Sequence, residues 1–361
     1  MKQGDGETAP GSAGSGKRPR SKAKLALFVA IPALSSVLVL EGVLRLAGMP
    51  SGVVSSLGHC WADARSNALG PFQPSFRATI AFPKELTYHP GFNSLGLRGP
   101  ELPLARTPGV ARVLCAGDST TFGFYVEDQD TYPFRLETRL AASGKKVEVA
   151  NGGCGSWTIT DEARFLEDHA LALEPDVVVL LFCGNDLPEL DRPSRYEEQE
   201  RYRREGDPPL RRLLHATAIY EAHLRLRLAL AQTRGAVDLT APQEAQDDAH
   251  WQRYAHELTA LAAKISEKGA KLVVASFPGV REVRSASCDT ERRLPGIVAS
   301  LGAERAAYVD LYPAFRAHEK EGLYNLPLDE HTNARGNDLM AETIARALIE
   351  KGWLVEKGSR R

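Results

Sequence analysis

The apolar pattern of this chain predicts the α/β class: a three-layer α/β/α sandwich around a central, mainly parallel five-stranded sheet, preceded by an N-terminal transmembrane helix. Three observations carry that expectation. From residue 110 onward, short runs rich in Val, Leu and Ala alternate with segments whose apolar residues recur every three or four positions, the pattern of strands joined by covering helices. Three of the runs stop at turns that contain glycine, 117–119, 151–156 and 184–186. Near the N-terminus an uncharged apolar segment follows a cluster of basic residues. With 361 residues, 43% of them hydrophobic and 25% charged, the chain is long enough for one large domain with appendages.

Taken in order, residues 1–23 are Gly, Ser, Lys, Arg and Pro with little apolar content, which predicts a disordered basic tail. Lys17, Arg18, Arg20, Lys22 and Lys24 then abut residues 25–40, sixteen positions without a charge. Taken over 24–48, the segment reaches the ~20 residues that a membrane span requires. It then includes Glu41 and Arg45, which are four apart and can pair near its end. The expectation is a retained signal anchor with its basic flank cytoplasmic and the rest of the chain on the extracytoplasmic, periplasmic side of the cell membrane. A cleaved signal peptide competes, but no Ala-x-Ala site follows the run, and a buried soluble helix is opposed by the basic flank.

Residues 49–109 are rich in Pro, Gly and Ser and read as an irregular lead-in packed on the main domain, which spans 110–352. Strands are expected at 112–116, 146–150, 176–182, 271–277 and 306–311. Helical spacing joins Phe165, Leu166, Ala170 and Leu173, then Trp251, Tyr254, Leu258, Leu261 and Ile265, and finally Leu339, Met340, Thr343, Ile344, Ala347 and Leu348. The interval 187–249 breaks this rhythm and reads as a helical insertion over the carboxyl edge of the sheet, its Arg and Glu runs forming solvated faces. Residues 353–361 form a short tail.

Composition also excludes. A net charge of −1 gives no footprint for nucleic acid. Five irregularly spaced cysteines argue against a disulfide framework or a paired-cysteine metal site, and Cys115, Cys154 and Cys183 read as small core residues at strand ends. Neither a metal constellation nor a cofactor motif is legible, and oligomeric state leaves no trace in the sequence.

The chemistry gathers at the strand ends. Ser119, directly after the first strand, stands where open α/β sheets bind ligands and is a nucleophile if a base reaches it. Asn151-Gly-Gly-Cys-Gly-Ser156 follows the second strand with backbone N–H groups that can face it, and Asn185 follows the third with a side-chain donor. Asp329-Glu-His331 precedes the last helix, where the aspartate can orient the imidazole while its other nitrogen takes the serine proton. Asp118 and Asp186 read as structural turn residues.

These four blocks, in this order, resemble those of the SGNH (GDSL-type) hydrolase superfamily, over roughly residues 110–352 with the insertion excepted. The resemblance implies a flavodoxin-like sandwich and a catalytic set of Ser119, Asp329 and His331. It also implies an oxyanion hole built from the N–H of Ser119, the N–H of Gly155 or Ser156, and Asn185. Two departures stand out: the pattern's last glycine in the second block is Ser156, and the last block is Asp-x-His rather than Asp-x-x-His. Asn93, Gly96, Leu97, Arg98 and Gly99 resemble a segment of membrane-anchored bacterial members. The implied activity is a serine esterase acting on an ester, an acetyl group or an acylated glycan. The alternatives are an O-acyltransferase of cell-envelope glycans and an anchored, non-catalytic binding module.

Overall fold

Five strands form at the five apolar runs: β1 Ala111–Ala116, β2 Val147–Asn151, β3 Val177–Phe182, β4 Lys271–Ser276 and β5 Ala306–Asp310. They pair in the order 2-1-3-4-5, every pair parallel. That is the doubly wound order in which the ligand crevice opens between β1 and β3, where the winding reverses. β1 and β3 are buried along their whole length, so β3 reads as an unbroken apolar run and β1 as one from Val113 onward, its buried Arg112 paired with Glu148. The computed structural model describes residues 22–354 apart from 52, 55–56, 64, 81–85, 231–236, 238–246 and 286–287. Most of both tails, and the stretch of the insertion just before residue 247, lie outside the described residues.

The two faces of the sheet carry separate cores, as a period of two dictates. Leu114, Ala116, Val178, Leu180 and Phe182 pack under helices Ile159–Asp168, Asp248–Glu267 and Asp289–Ser300. Val113, Cys115, Val177, Val179 and Leu181 pack under helices Tyr132–Ala142 and Ala334–Lys351. The helix expected around Phe165 is shorter than its spacing suggests. It ends at Asp168 and is followed by a 3-10 turn, Ala170–Leu173, whose cap Glu174 takes a φ of 51° to bring the chain into β3.

The lead-in is stitched to the sheet. Phe76–Arg77 pairs antiparallel with Gly91–Phe92, and Arg98 bridges to Asn151 at the carboxyl end of β2. Phe72 stacks on Phe92 at 4.5 Å and leans on Phe122 at 5.4 Å, joining the lead-in to the core beside Ser119. The insertion contributes helices Asp186–Glu189, Arg195–Glu205, Pro209–His215 and Ala218–Leu230. Gln199 accepts from the Trp157 indole at 3.0 Å, and Arg203 donates to the carbonyls of Ala68 and Gly70 at 2.7 and 2.8 Å. The insertion thus packs against helix Ile159–Asp168 and the lead-in.

The N-terminal helix is Lys22–Leu46. Its segment Ala26–Leu46 has a mean hydropathy of 2.2, none of it buried, and is long and apolar enough to cross a membrane. The pairing expected within it forms, Arg45 Nε donating to Glu41 at 2.8 Å.

Candidate active site

β1 delivers Ser119 through a turn that only glycine tolerates. Gly117 has a φ of 153°, and a Cβ there would lie 2.2 Å from the Thr121 hydroxyl. The turn enters a one-turn helix, Ser119–Phe122, which Asp118 caps by accepting from the Thr120 N–H at 2.8 Å. Ser119 stays half-buried, its hydroxyl 3.4 Å from Asp118 and 2.8 Å from His331 Nε2.

His331 arrives from 212 residues away in sequence. A single carboxylate oxygen of Asp329 accepts both the His331 backbone N–H at 2.8 Å and the ring Nδ1–H at 2.5 Å. This Asx turn is why a spacing of two residues serves as well as three: the backbone bond bends the loop until the imidazole faces its own upstream acid. Asn325 pins the His331 carbonyl with its backbone and side-chain N–H groups, at 2.9 and 3.1 Å. The cap of the final helix is Asn333, bonded to the N–H groups of Arg335 and Gly336, so His331 is free of that duty. Glu330 turns outward to an ion pair with Arg281 at 3.1 Å.

The two remaining blocks frame the serine. The second rides directly on helix Ser119–Phe122: a Cβ on Gly153 would lie 2.2 Å from the Phe122 nitrogen, and Cys154 N–H donates to the Gly117 carbonyl at 3.1 Å. Asn151 accepts from Gly153 N–H at 3.0 Å and donates to the Phe122 carbonyl at 3.3 Å. Ser156 has a φ of 64°, so this serine keeps the left-handed conformation that glycine adopts freely. It is exposed, with Gly155 half-buried beside it. Asn185 follows β3 in helical conformation, exposed at the mouth, its side chain making no capping bond. Because β1 and β3 are hydrogen-bonded neighbours, their ends bring 117–119 and 184–185 to one crevice.

Several residues around this set carry no sequence motif. Phe124 and Tyr125 flank the imidazole, with ring centroids 5.2 and 5.5 Å from it. The Tyr125 hydroxyl donates to Asp329. Burial would raise the Asp329 carboxyl, but the hydrogen bond and positive charge of His331, its backbone N–H and Tyr125 outweigh this and hold it below the ordinary value. Arg98, buried under Phe122 with its guanidinium 4.6 Å from the ring centroid, donates to the carbonyls of Phe122, Gly123 and Val126 and to Asp128. It fixes the loop that bears Phe124 and Tyr125.

Behind Ser119 lies a second set of acids. Cys183 donates its S–H to Asp118 at 3.3 Å and its N–H to Asp186 at 3.1 Å. Glu162 from the neighbouring helix and Asp186 are both buried, and burial pushes both carboxyls well above their usual range, helped by the charges of Asp118 and Asp161 at Glu162 and of Glu162 and Asp118 at Asp186. Burial raises Cys115 and Cys154 to about 12 and Cys183 also upward, so these thiols are core groups. Among the described residues no group of three or more His, Cys, Asp or Glu side chains has the geometry to hold a metal.

A cavity of about 190 Å³ adjoins the site, walled by Trp61, Tyr88, Phe124, Tyr125, Gly155 and Ser156, with Arg195 at its edge. A wider charged groove of about 1130 Å³ opens from Ser156 along Arg164, Arg192 and Arg195.

Residues 115–339 match the GDSL-like lipase/acylhydrolase family. No sequence among the curated proteins matches the chain. Among solved structures, a lipolytic protein of the G-D-S-L family from Desulfitobacterium hafniense is 16% identical, with 66% of this chain and 99% of that one covered at a TM-score of 0.41. An acetyl xylan esterase is 17% identical over 66% and 99%, TM-score 0.40. The lipase/acylhydrolase from Enterococcus faecalis is 17% identical over 69% and 100%, TM-score 0.42.

Proposed function

The chain belongs to the GDSL-like lipase/acylhydrolase family and is a hydrolase of ester bonds, and from that premise we propose that it is a serine esterase working through an acyl-serine intermediate, with Ser119, His331 and Asp329 as its triad. The observation that carries the proposal is the continuous relay from Ser119 Oγ through His331 to Asp329, with bonds of 2.8 and 2.5 Å. Ser119 Oγ attacks the ester carbonyl as His331 Nε2 takes its proton, and Asp329 stabilises the imidazolium. The oxyanion is received by the N–H of Ser119, that of Gly155 or Ser156, and the Asn185 amide. Collapse breaks the bond to the alcohol, which leaves with the proton from Nε2. Water, deprotonated by the same nitrogen, then attacks the acyl-serine and releases the acid.

The surroundings favour a small acyl group on a polar alcohol. At about 190 Å³ the apolar cavity is smaller than the ~300–1,000 Å³ of drug-sized ligand sites, which suits acetyl. The charged groove alongside suits a hydroxyl-rich partner such as a cell-envelope glycan. The apolar N-terminal helix supports a membrane anchor, with the catalytic domain on the extracytoplasmic side by the basic flank.

Ser119→Ala should abolish aryl-acetate turnover, a loss on the order of 10⁶-fold in kcat where triad members act as a unit, and should abolish labelling by a fluorophosphonate. Acetate release from an acetylated glycan should be unchanged by added sugar acceptor. Near-parental hydrolysis by the purified Ala variant would overturn the assignment of the nucleophile.

A further inference from the structure

Among the described residues, the insertion carries an exposed apolar face. On helix Pro209–His215, Leu210, Leu213 and Leu214 recur at the spacing of one helical stripe, and they are 68%, 65% and 51% exposed. On helix Ala218–Leu230, Leu226 and Leu230 are four apart and 58% and 72% exposed. Arg211, Arg212, Arg225 and Arg227 lie among them, all exposed. Isolated surface leucines need no explanation, but five on two consecutive helices form a patch.

The position of that patch gives it a partner. Glu41, inside the apolar N-terminal helix, accepts from the N–H groups of Ala218 and Ile219 at 2.9 and 3.0 Å and so caps the second of these helices. Arg45 donates to the Ala216 carbonyl at 3.1 Å, and just past the helix end the Ser51 hydroxyl donates to Glu221 at 2.8 Å. The leucine-bearing helices are therefore fastened to the last turns of Ala26–Leu46. Glu41 precedes Leu46 by five residues, about 7 Å along the axis at a rise of ~1.5 Å per residue. If that segment crosses a bilayer, the fastening point falls where acyl chains meet headgroups. In this layer amphipathic helices sink their apolar faces about 5–10 Å, while arginines meet anionic headgroups.

We propose that helices Pro209–His215 and Ala218–Leu230 lie in the interfacial layer of the membrane that the N-terminal helix crosses, so that the catalytic domain is seated on the bilayer and not merely tethered to it. This rests on the anchor reading of the N-terminal helix. The lipid surface is favoured over a second copy of the chain because the patch is continuous with the apolar helix and edged with arginine.

The test uses the full chain in vesicles of phosphatidylcholine and phosphatidylglycerol whose acyl chains are brominated either near the headgroup or near the chain end. Leu213→Trp reports on the insertion and Leu34→Trp on the middle of the span. Each is compared with the parent chain, after circular dichroism shows a parental fold. The expected result is loss of the added Leu213→Trp emission with bromine near the headgroup, and of the Leu34→Trp emission with bromine near the chain end. If Leu34→Trp is quenched and Leu213→Trp is not, the seat is overturned and the anchor stands. A dimer seen by light scattering in that case would identify a second copy as the occupant. If Leu34→Trp escapes quenching, the anchor reading falls, and the seat as proposed falls with it.

Discussion

Two groups of carboxyls meet the crevice between β1 and β3, and they are tuned in opposite directions. Asp329, half-buried on the last loop, has its charge answered by the imidazole, a backbone N–H and the Tyr125 hydroxyl, and its carboxyl sits below the ordinary range. Glu162 and Asp186 are driven upward first by burial and then by the charges of neighbouring carboxylates, Asp118 acting on both. Asp186 Oδ1 and Glu162 Oε1 make no hydrogen bond among the described residues. Depth alone does not decide which acid stays charged; the partners do. The proposed triad acid is surrounded by donors, the buried pair by like charge.

The comparison breaks most sharply at Asp329. Asp329→Asn should lower kcat by about 10⁴-fold, the cost where a triad carboxylate is neutralised and the tautomer lost. Glu330→Gln, one residue on, should leave kcat near its parental value, since Glu330 faces Arg281. A pH–rate profile of the two variants checks this; a crippled Glu330→Gln beside an active Asp329→Asn would reassign the acid.

Tyr125→Phe removes one donor from the same carboxylate and keeps the ring against the imidazole. Steady-state kinetics should show about a tenfold loss in kcat/KM, or about 1.4 kcal/mol. A rate equal to the parent's would mean that His331 alone orients Asp329.

Stability reads the same contrast with opposite signs. A lowered acid such as Asp329 contributes stability above its unfolded value, near pH ~3.9, and loses it as pH falls through the lower folded value. A raised acid such as Glu162 contributes below its unfolded value, near pH ~4.3, and loses that contribution as pH rises. Glu162→Gln should therefore gain in Tm relative to the parent as pH is raised from 5 toward 9 (roughly the range between ordinary acid and amine titrations), with hydrolysis close to parental. A Tm difference that does not change with pH would remove Glu162 from the raised pair. The smallest effect is expected at Ser156. Ser156→Gly relieves a left-handed serine but loosens the unfolded chain, so the two contributions of about 1 kcal/mol oppose each other. Thermal unfolding should show little net change.

Much of this was legible beforehand, and the exceptions have physical reasons. β1 and β3 stand out because burial on both faces leaves β3 wholly apolar and β1 apolar from Val113 onward. The proposed triad could be read from the sequence because its members sit in turns with their own local chemistry. Tyr125 is not, since it reaches Asp329 across about two hundred residues and through a φ of 64° that nothing local announces. Glu162 left a trace: it lies four positions before Leu166 on the buried stripe of its helix, where a charged residue has to be accounted for. The break at His169 was hidden because a 3-10 turn continues the three-residue spacing of the helix before it.

Arg98 carries a practical consequence for anyone who trims this protein. A fragment starting at residue 110, where the alternating pattern begins, would retain Ser119, Asn185, Asp329 and His331. It would lose the guanidinium that holds the carbonyls of Phe122, Gly123 and Val126, the Phe72 and Phe92 rings packed against Phe122, and the Trp61 and Tyr88 walls of the cavity. Such a piece would keep the proposed triad and lose the contacts that hold Phe124 and Tyr125 against its imidazole. The N-terminal third is as much a part of the working molecule as the sheet itself.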